Sequence, residues 1–301
     1  MGQESYSRRW AVANSPATFS GSSTRWDFNS STLRRQSKLL QSGATRGTRA
    51  TITKQTRNAP YDVSGTLTIN PSPKFLGQFL VYAMGGGTET APAFADILTA
   101  FDVLQDHGTA GSGFGDCYKY AGLKVNRLTL SGRANGLVEC SIDVLGKTET
   151  AGQTFAGAAL GTTLAYEPYA HSDIAFTYDG GGPFSLRDWT LTLDNQLTAD
   201  FGTSLTAEDI FEGNDRVVTF DANVKLATDV LSTLYTSATK DGAGATLTLS
   251  NSTVSTLFSF AALQLPKHTP QADGAEIILP VKSEIRGTTA VEFTVTNDVT
   301  P

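Results

Sequence analysis

Charge is scarce in this chain of 301 residues: Asp, Glu, Lys and Arg make up 17%, against roughly 25% in soluble globular domains. A surface that is polar yet weakly charged suits a protein that covers much of its outside with copies of itself. Cysteine is nearly absent, and two residues, Cys117 and Cys140, make no disulfide framework. Both fall in expected strands, which points to packed free thiols. The three histidines, His107, His171 and His268, lie far apart without a second ligand at metal spacing. Glycines cluster at 85–87, at 111, 113 and 115, and at 180–182. None of the clusters carries the Lys and Ser or Thr of a phosphate loop or a dinucleotide fingerprint, so they read as turns and hinges. No apolar run approaches the ~20 residues of a membrane span. The opening stretch, Met1 to Ser20, lacks the apolar centre of a signal peptide. Synthesis and assembly in a cytoplasm are the expectation.

The formal net charge is −6, the wrong sign for gripping nucleic acid through its phosphates. An acidic or neutral wall would instead let a duplex slide past. The one basic concentration is N-terminal, with Arg8, Arg9, Arg25, Arg34, Arg35, Lys38, Arg46, Arg49, Lys54 and Arg57. It reads as a solvated arm.

What the chain does have is alternation. Residues 1–45 are rich in Ser, Thr and Arg and read as an extended N-terminal arm. Beyond it, apolar and polar residues alternate as in half-buried strands: Val63, Leu67 and Ile69; Leu123, Val125, Leu128 and Leu130; Trp189, Leu191 and Leu193; Val291, Phe293 and Val295. Two segments have helical spacing instead. Lys74 to Met84 places Phe75, Leu76, Phe79, Leu80 and Ala83 on one face, after Pro71 and Pro73 and before Gly85. Ala227 to Ala238 does likewise with Val230, Leu231, Leu234 and Tyr235.

The two halves echo one another. A strand, Val63 to Asn70, enters the first helix, and later come Phe101, Val103 and Leu104, then 120–125, then Gly136 to Val144. In the second half a strand, Val217 to Lys225, enters the second helix, followed by Ala245, Leu247 and Leu249, then 260–265, then Gly274 to Val281. The expected organisation is an arm over 1–45, a first β unit over 46–155 and a second over 156–301. Open sheet edges on each unit imply partners. Three chains would supply six wedges to a closed ring, and head-to-tail contacts would stack the rings. The long stretch from Gly85 to Gly115 reads as an arm that contacts the next ring through Phe94, Ile97 and Leu98.

The run Tyr118 to Leu130, followed by Gly136, Leu137, Val138 and Glu139 and later by Leu145 and Gly146, resembles the signature hairpin of bacteriophage tail tube proteins. The pattern leading into Val63, Ser64 and Gly65 is similar too, so the resemblance extends from about Arg34 onward. It implies a mainly β fold of two tandem tail-tube-like antiparallel sandwich or barrel units, each with a short flanking α-helix. It also implies a major tail tube subunit, assembled as homotrimeric pseudo-hexameric rings or as hexamers. Tape measure and tail completion proteins would be its partners in the virion tail, and genomic DNA would pass through the lumen without specific binding. Pro266, Lys267 and His268 depart from the pattern, interrupting the second hairpin where the first has Asn126, Arg127 and Leu128.

Catalytic chemistry finds little support. Asp188, Asp194, Asp200, Glu208, Asp209 and Glu212 could supply the two carboxylates of a glycoside hydrolase, but nothing in their spacing selects a pair. The aromatics alternate with polar residues within strands, as core residues do, and form no sugar platform. No cofactor and no catalytic residue are expected. Another phage structural protein, a tail terminator, hub or capsid decoration protein, is the nearest alternative.

Overall fold

A computed structural model describes residues 9–17, 19, 25–26, 28–41, 56–107, 117–153, 167–213, 215–225, 242–251, 254–264, 271–273, 276–285 and 292–298. The first half begins with β1 (Arg9–Asn14), β2 (Arg25–Trp26), β3 (Ser30–Ser31), β4 (Arg34–Gln36), β5 (Leu39–Gln41), β6 (Thr56–Asn58) and β7 (Asp62–Ile69). It continues through helix α1 (Pro73–Met84) to β8 (Gly85–Gly87), β9 (Pro92–Phe94), β10 (Phe101–Asp106), β11 (Cys117–Arg133), β12 (Glu139–Gly146) and β13 (Thr148–Thr150). The second half starts with β14 (Ile174–Tyr178), β15 (Gly181–Phe184), β16 (Leu186–Asp194), β17 (Thr198–Asp200), β18 (Asp209–Phe211) and β19 (Val217–Lys225). Its remaining strands are β20 (Ala243–Ser250), β21 (Ser255–Leu263), β22 (Gln271–Asp273), β23 (Glu276–Ile285) and β24 (Phe293–Asn297). The fold is mainly β, in large antiparallel sheets. The second expected helix, 227–238, lies outside the described residues.

Helix α1 starts at Pro73, where a missing N–H costs nothing, and stops at Gly85. Gly85 takes the left-handed conformation, φ 97°, and its N–H returns to the Val81 carbonyl. The helix buries Phe75, Leu76, Phe79, Leu80, Tyr82, Ala83 and Met84. Full burial of a side chain such as Phe79 contributes roughly 1.5–3 kcal/mol. Phe101 of β10 lies across it, 4.5 Å from the Tyr82 ring and nearly parallel to it.

Strand β11 belongs to two sheets. Its first part pairs with β10 and β13, its last part with β12 and β16. The turn from one sheet to the other falls at Gly122, φ +66°, a conformation that glycine adopts without penalty. Four residues on, a bulge at Asn126 shifts the register between Val125 and Arg127. That extra residue explains the change of phase from Leu123 and Val125 to Leu128 and Leu130: all four side chains are buried.

The pairing chain β10, β11, β12, β7 of the first half recurs in the second as β20, β21, β23, β19. Flanking strands follow suit. β1 lies beside β10 as β14 lies beside β20, and β3 and β4 lie beside β7 as β16 lies beside β19. The stretch expected as an arm thus enters the sheets, with Trp10 and Val12 of β1 buried. One apolar cluster runs through both halves, from Trp10, Phe79 and Phe101 to Phe176, Phe220, Phe260 and Phe293.

Candidate assembly interface

The two halves are joined by a strand pairing, so this contact and the edges equivalent to it are where assembly chemistry is to be sought. Strand β16 pairs with β11 in continuous register from Arg127 opposite Asp194 to Arg133 opposite Asp188. Leu128 and Leu130 face the core with Leu191 and Leu193, while Thr129, Ser131, Thr190 and Thr192 take the other face. Asn195 closes the seam. Its buried Nδ2 donates to the carbonyls of Val125 (2.9 Å) and Ala83 (3.0 Å), and its N–H donates to the Asn126 carbonyl (2.8 Å). Asn126 Oδ1 in turn accepts the Leu197 N–H at 2.8 Å, so the bulge residue holds the chain that leaves β16. Arg127 bonds Asp194 through Nε and Nη2, which raises the guanidinium pKa above its ordinary value.

From Asp194 the chain enters hairpin β17–β18, which lies against the first half. Lys124 Nζ donates to the Ile210 carbonyl at 2.9 Å and to Glu212 Oε1 at 2.6 Å. Glu212 Oε1 also accepts the Leu98 N–H at 3.0 Å. Lys147 Nζ donates to the Glu208 carbonyl and to Asp209 Oδ1, 2.8 and 3.0 Å away. The hydrogen bond from Lys147 holds the Asp209 carboxyl below the usual carboxylate range, with help from the Ile210 backbone. The hairpin loop meets the residue before β7: the Tyr61 N–H donates to the Leu205 carbonyl at 2.9 Å. Ile210 is fully buried, whereas Leu205 and Phe211 are 55% and 49% exposed.

Hairpin β5–β6 occupies the same place in the first half, between β4 and β7, and it is dressed differently. Leu39 and Leu40 are 67% and 57% exposed, and Lys38 and Arg57 beside them are exposed as well. At its root the Arg35 guanidinium stacks on the Tyr61 ring, 3.6 Å from the centroid.

A model of the phage tail tube protein family matches residues 4–296. The chain belongs to the phage tail tube protein family. It is therefore a structural protein of the phage tail, of a family whose members self-assemble into a tube. No curated protein matches the sequence.

In this tail tube protein the three residues singled out in the segment after α1 separate. Phe94 is half-buried, its ring edge-on to Phe293 at 5.0 Å with the Arg216 guanidinium 4.2 Å above it. Leu98 is buried beside Glu212, and Ile97 stands 74% exposed between them. Of the six carboxylates considered for a hydrolase pair, four are engaged by other side chains: Asp194 serves Arg127, Asp209 serves Lys147, Glu212 serves Lys124, and Asp188 accepts the Asn223 side-chain amide at 2.8 Å. His107 lies edge-on to Tyr118, and His171 Nε2 lies 2.9 Å from the Leu186 carbonyl. His268 is outside the described residues. Cys117 and Cys140 are buried, and burial pushes the Cys140 thiol well above its usual pKa. Among the described residues no cluster of His, Cys, Asp and Glu could hold a metal ion, and no helix is long and apolar enough to cross a membrane.

Sequence reasoning missed Asn126, Asn195, Lys124 and Lys147. The phase change within β11 was the available signal for Asn126. The lysines gave none, because their partners lie more than 60 residues away in the chain.

Proposed function

We propose that this protein is the major subunit of the tail tube: three copies close into a ring of six similar wedges, and rings stack into the hollow conduit through which DNA leaves the virion. The observation that carries the reading is the continuous pairing of β11 with β16, which joins two sets of strands that follow one pairing order. Each chain then contributes two wedges, 46–155 and 156–301, with strands from 1–45 completing the sheets of the first.

Of the strands with a single partner among the described residues, two stand where the seam would repeat. Among the described residues β4 pairs only with β7, and β22 only with β23. In pairing order β4 stands where β16 does, and β22 where the last part of β11 does. Joining β22 of one copy to β3 and β4 of the next repeats the seam around the ring and pairs both of those edges. The segment after α1 offers Ile97 to the next ring, while Phe94 and Leu98 anchor it to its own chain. Net charge of −6 keeps DNA from adhering to the wall. Tape measure and tail completion proteins meet the tube at its lumen and ends.

Negative-stain electron microscopy of the concentrated protein tests this. Hollow tubes with a regular axial repeat are expected, and persistent monomers at high concentration would contradict it.

A further inference from the structure

We propose that hairpin β5–β6 of one copy docks on hairpin β17–β18 of a second copy through opposite charges around exposed apolar side chains; the proposal rests on reading the chain as a self-assembling tube subunit. Of the six large hydrophobic side chains exposed among the described residues, Leu39 and Leu40 lie on the first hairpin, and Leu205 and Phe211 on the second. Single exposed leucines are ordinary on protein surfaces. Here, however, two pairs sit in segments that each carry charge of one sign in the sequence. From Ser37 to Asn58 the sequence has five cations, Lys38, Arg46, Arg49, Lys54 and Arg57, and no anion. From Thr198 to Glu212 it has four anions, Asp200, Glu208, Asp209 and Glu212, and no cation.

Two carboxylates of the acidic hairpin are already taken within the chain, because Lys124 and Lys147 engage Glu212 and Asp209. Asp200, Glu208, Leu205 and Phe211 of that hairpin remain exposed. Lys38, Arg57, Asp200 and Glu208 have no ion-pair partner among the described residues. Each chain therefore carries a cationic apolar strip on the face of Leu40 and Arg57, and an anionic apolar strip on the face of Asp200 and Phe211. Two such strips on one subunit make a heterologous, head-to-tail contact that propagates from copy to copy, with charge steering the approach and fixing which hairpin meets which.

The test is a charge-reversal cycle read by sedimentation velocity and electron microscopy of the full chain, with circular dichroism to check folding. K38E/R57E and D200K/E208K each lower the polymerised fraction about tenfold or more, the effect of about 1.4 kcal/mol at one contact, and the four changes combined in one chain restore it. K38M/R57M, which removes charge without reversing it, gives a smaller loss. Folded reversal variants that polymerise like the parent would overturn the docking, as would a combined variant that fails to recover. A parent chain that never polymerises would instead overturn the tube reading itself.

Discussion

Hairpin β5–β6 lies in the chain between β4 and β7, and hairpin β17–β18 between β16 and β19, yet among the described residues only the second is tied by lysines of the first half. The difference lies in side chains. The acidic hairpin meets Lys124 and Lys147 of the first half, whereas the basic hairpin has no such ion pair among the described residues. Two hairpins of opposite charge supply a single chain with both faces of the proposed contact, which identical repeats could not do. A chain of two unlike halves can thus satisfy one interface internally and keep its counterpart for a neighbour.

The strongest way to break this contrast is to loosen the seam from which the anchored hairpin departs. Asn195→Leu removes both donors to the buried carbonyls of Val125 and Ala83 and lowers stability by about 2–5 kcal/mol, since each unsatisfied buried group costs about 1–3 kcal/mol. Urea denaturation measures it, and a loss under about 1 kcal/mol would show that Asn195 is not the clasp. Next is a paired comparison. Lys124→Met takes two charge-assisted bonds from the acidic hairpin and costs about 1.5–3 kcal/mol, whereas Lys38→Met on the basic hairpin stays within about 0.5 kcal/mol. Equal midpoint shifts would erase the distinction between the two hairpins. Tyr61→Ala removes the face on which Arg35 stacks and lowers stability by about 0.5–1 kcal/mol, readable as a small drop in thermal midpoint.

The smallest effect concerns acid. The Asp209 carboxyl is held low in the folded chain by Lys147, so its contribution is complete above the unfolded value of about 3.9. That contribution disappears as pH falls through the lower folded value. The pair is half exposed, and the contribution stays under about 1 kcal/mol. Asp209→Asn should flatten that part of the stability profile between about pH 5 and 2 and leave neutral pH little changed; an unaltered acid limb would remove Asp209 from the account.

Strands with clean alternation were legible in the sequence: Val63, Leu67 and Ile69 lie in β7, and Trp189, Leu191 and Leu193 in β16. Helix α1 was legible because Pro73 and Gly85 punctuate an apolar face. The first strand was not read, since Trp10 and Val12 give only one period of alternation between flanking alanines. Its partner β10 supplies what the pattern lacks. β10 is buried along its whole length, Asp102 included, whose carboxylate accepts the N–H groups of Ala17 and Gly122 and pairs with Lys119. Phe94 looked like a loop aromatic because local spacing carries no information about Phe293, almost 200 residues on. Interfaces held by paired charges between halves were equally invisible: a lysine in a strand reads as solvated until the opposing strand is placed.

The most direct test of the central claim is the rotational symmetry of the ring, read by cryo-electron microscopy of assembled tubes. Six similar wedges built from three chains, with the seam of β11 and β16 alternating with the contact of β22 with β3 and β4, is the predicted result. A ring of six whole chains, or a ring whose neighbouring copies touch through other strands, would contradict it.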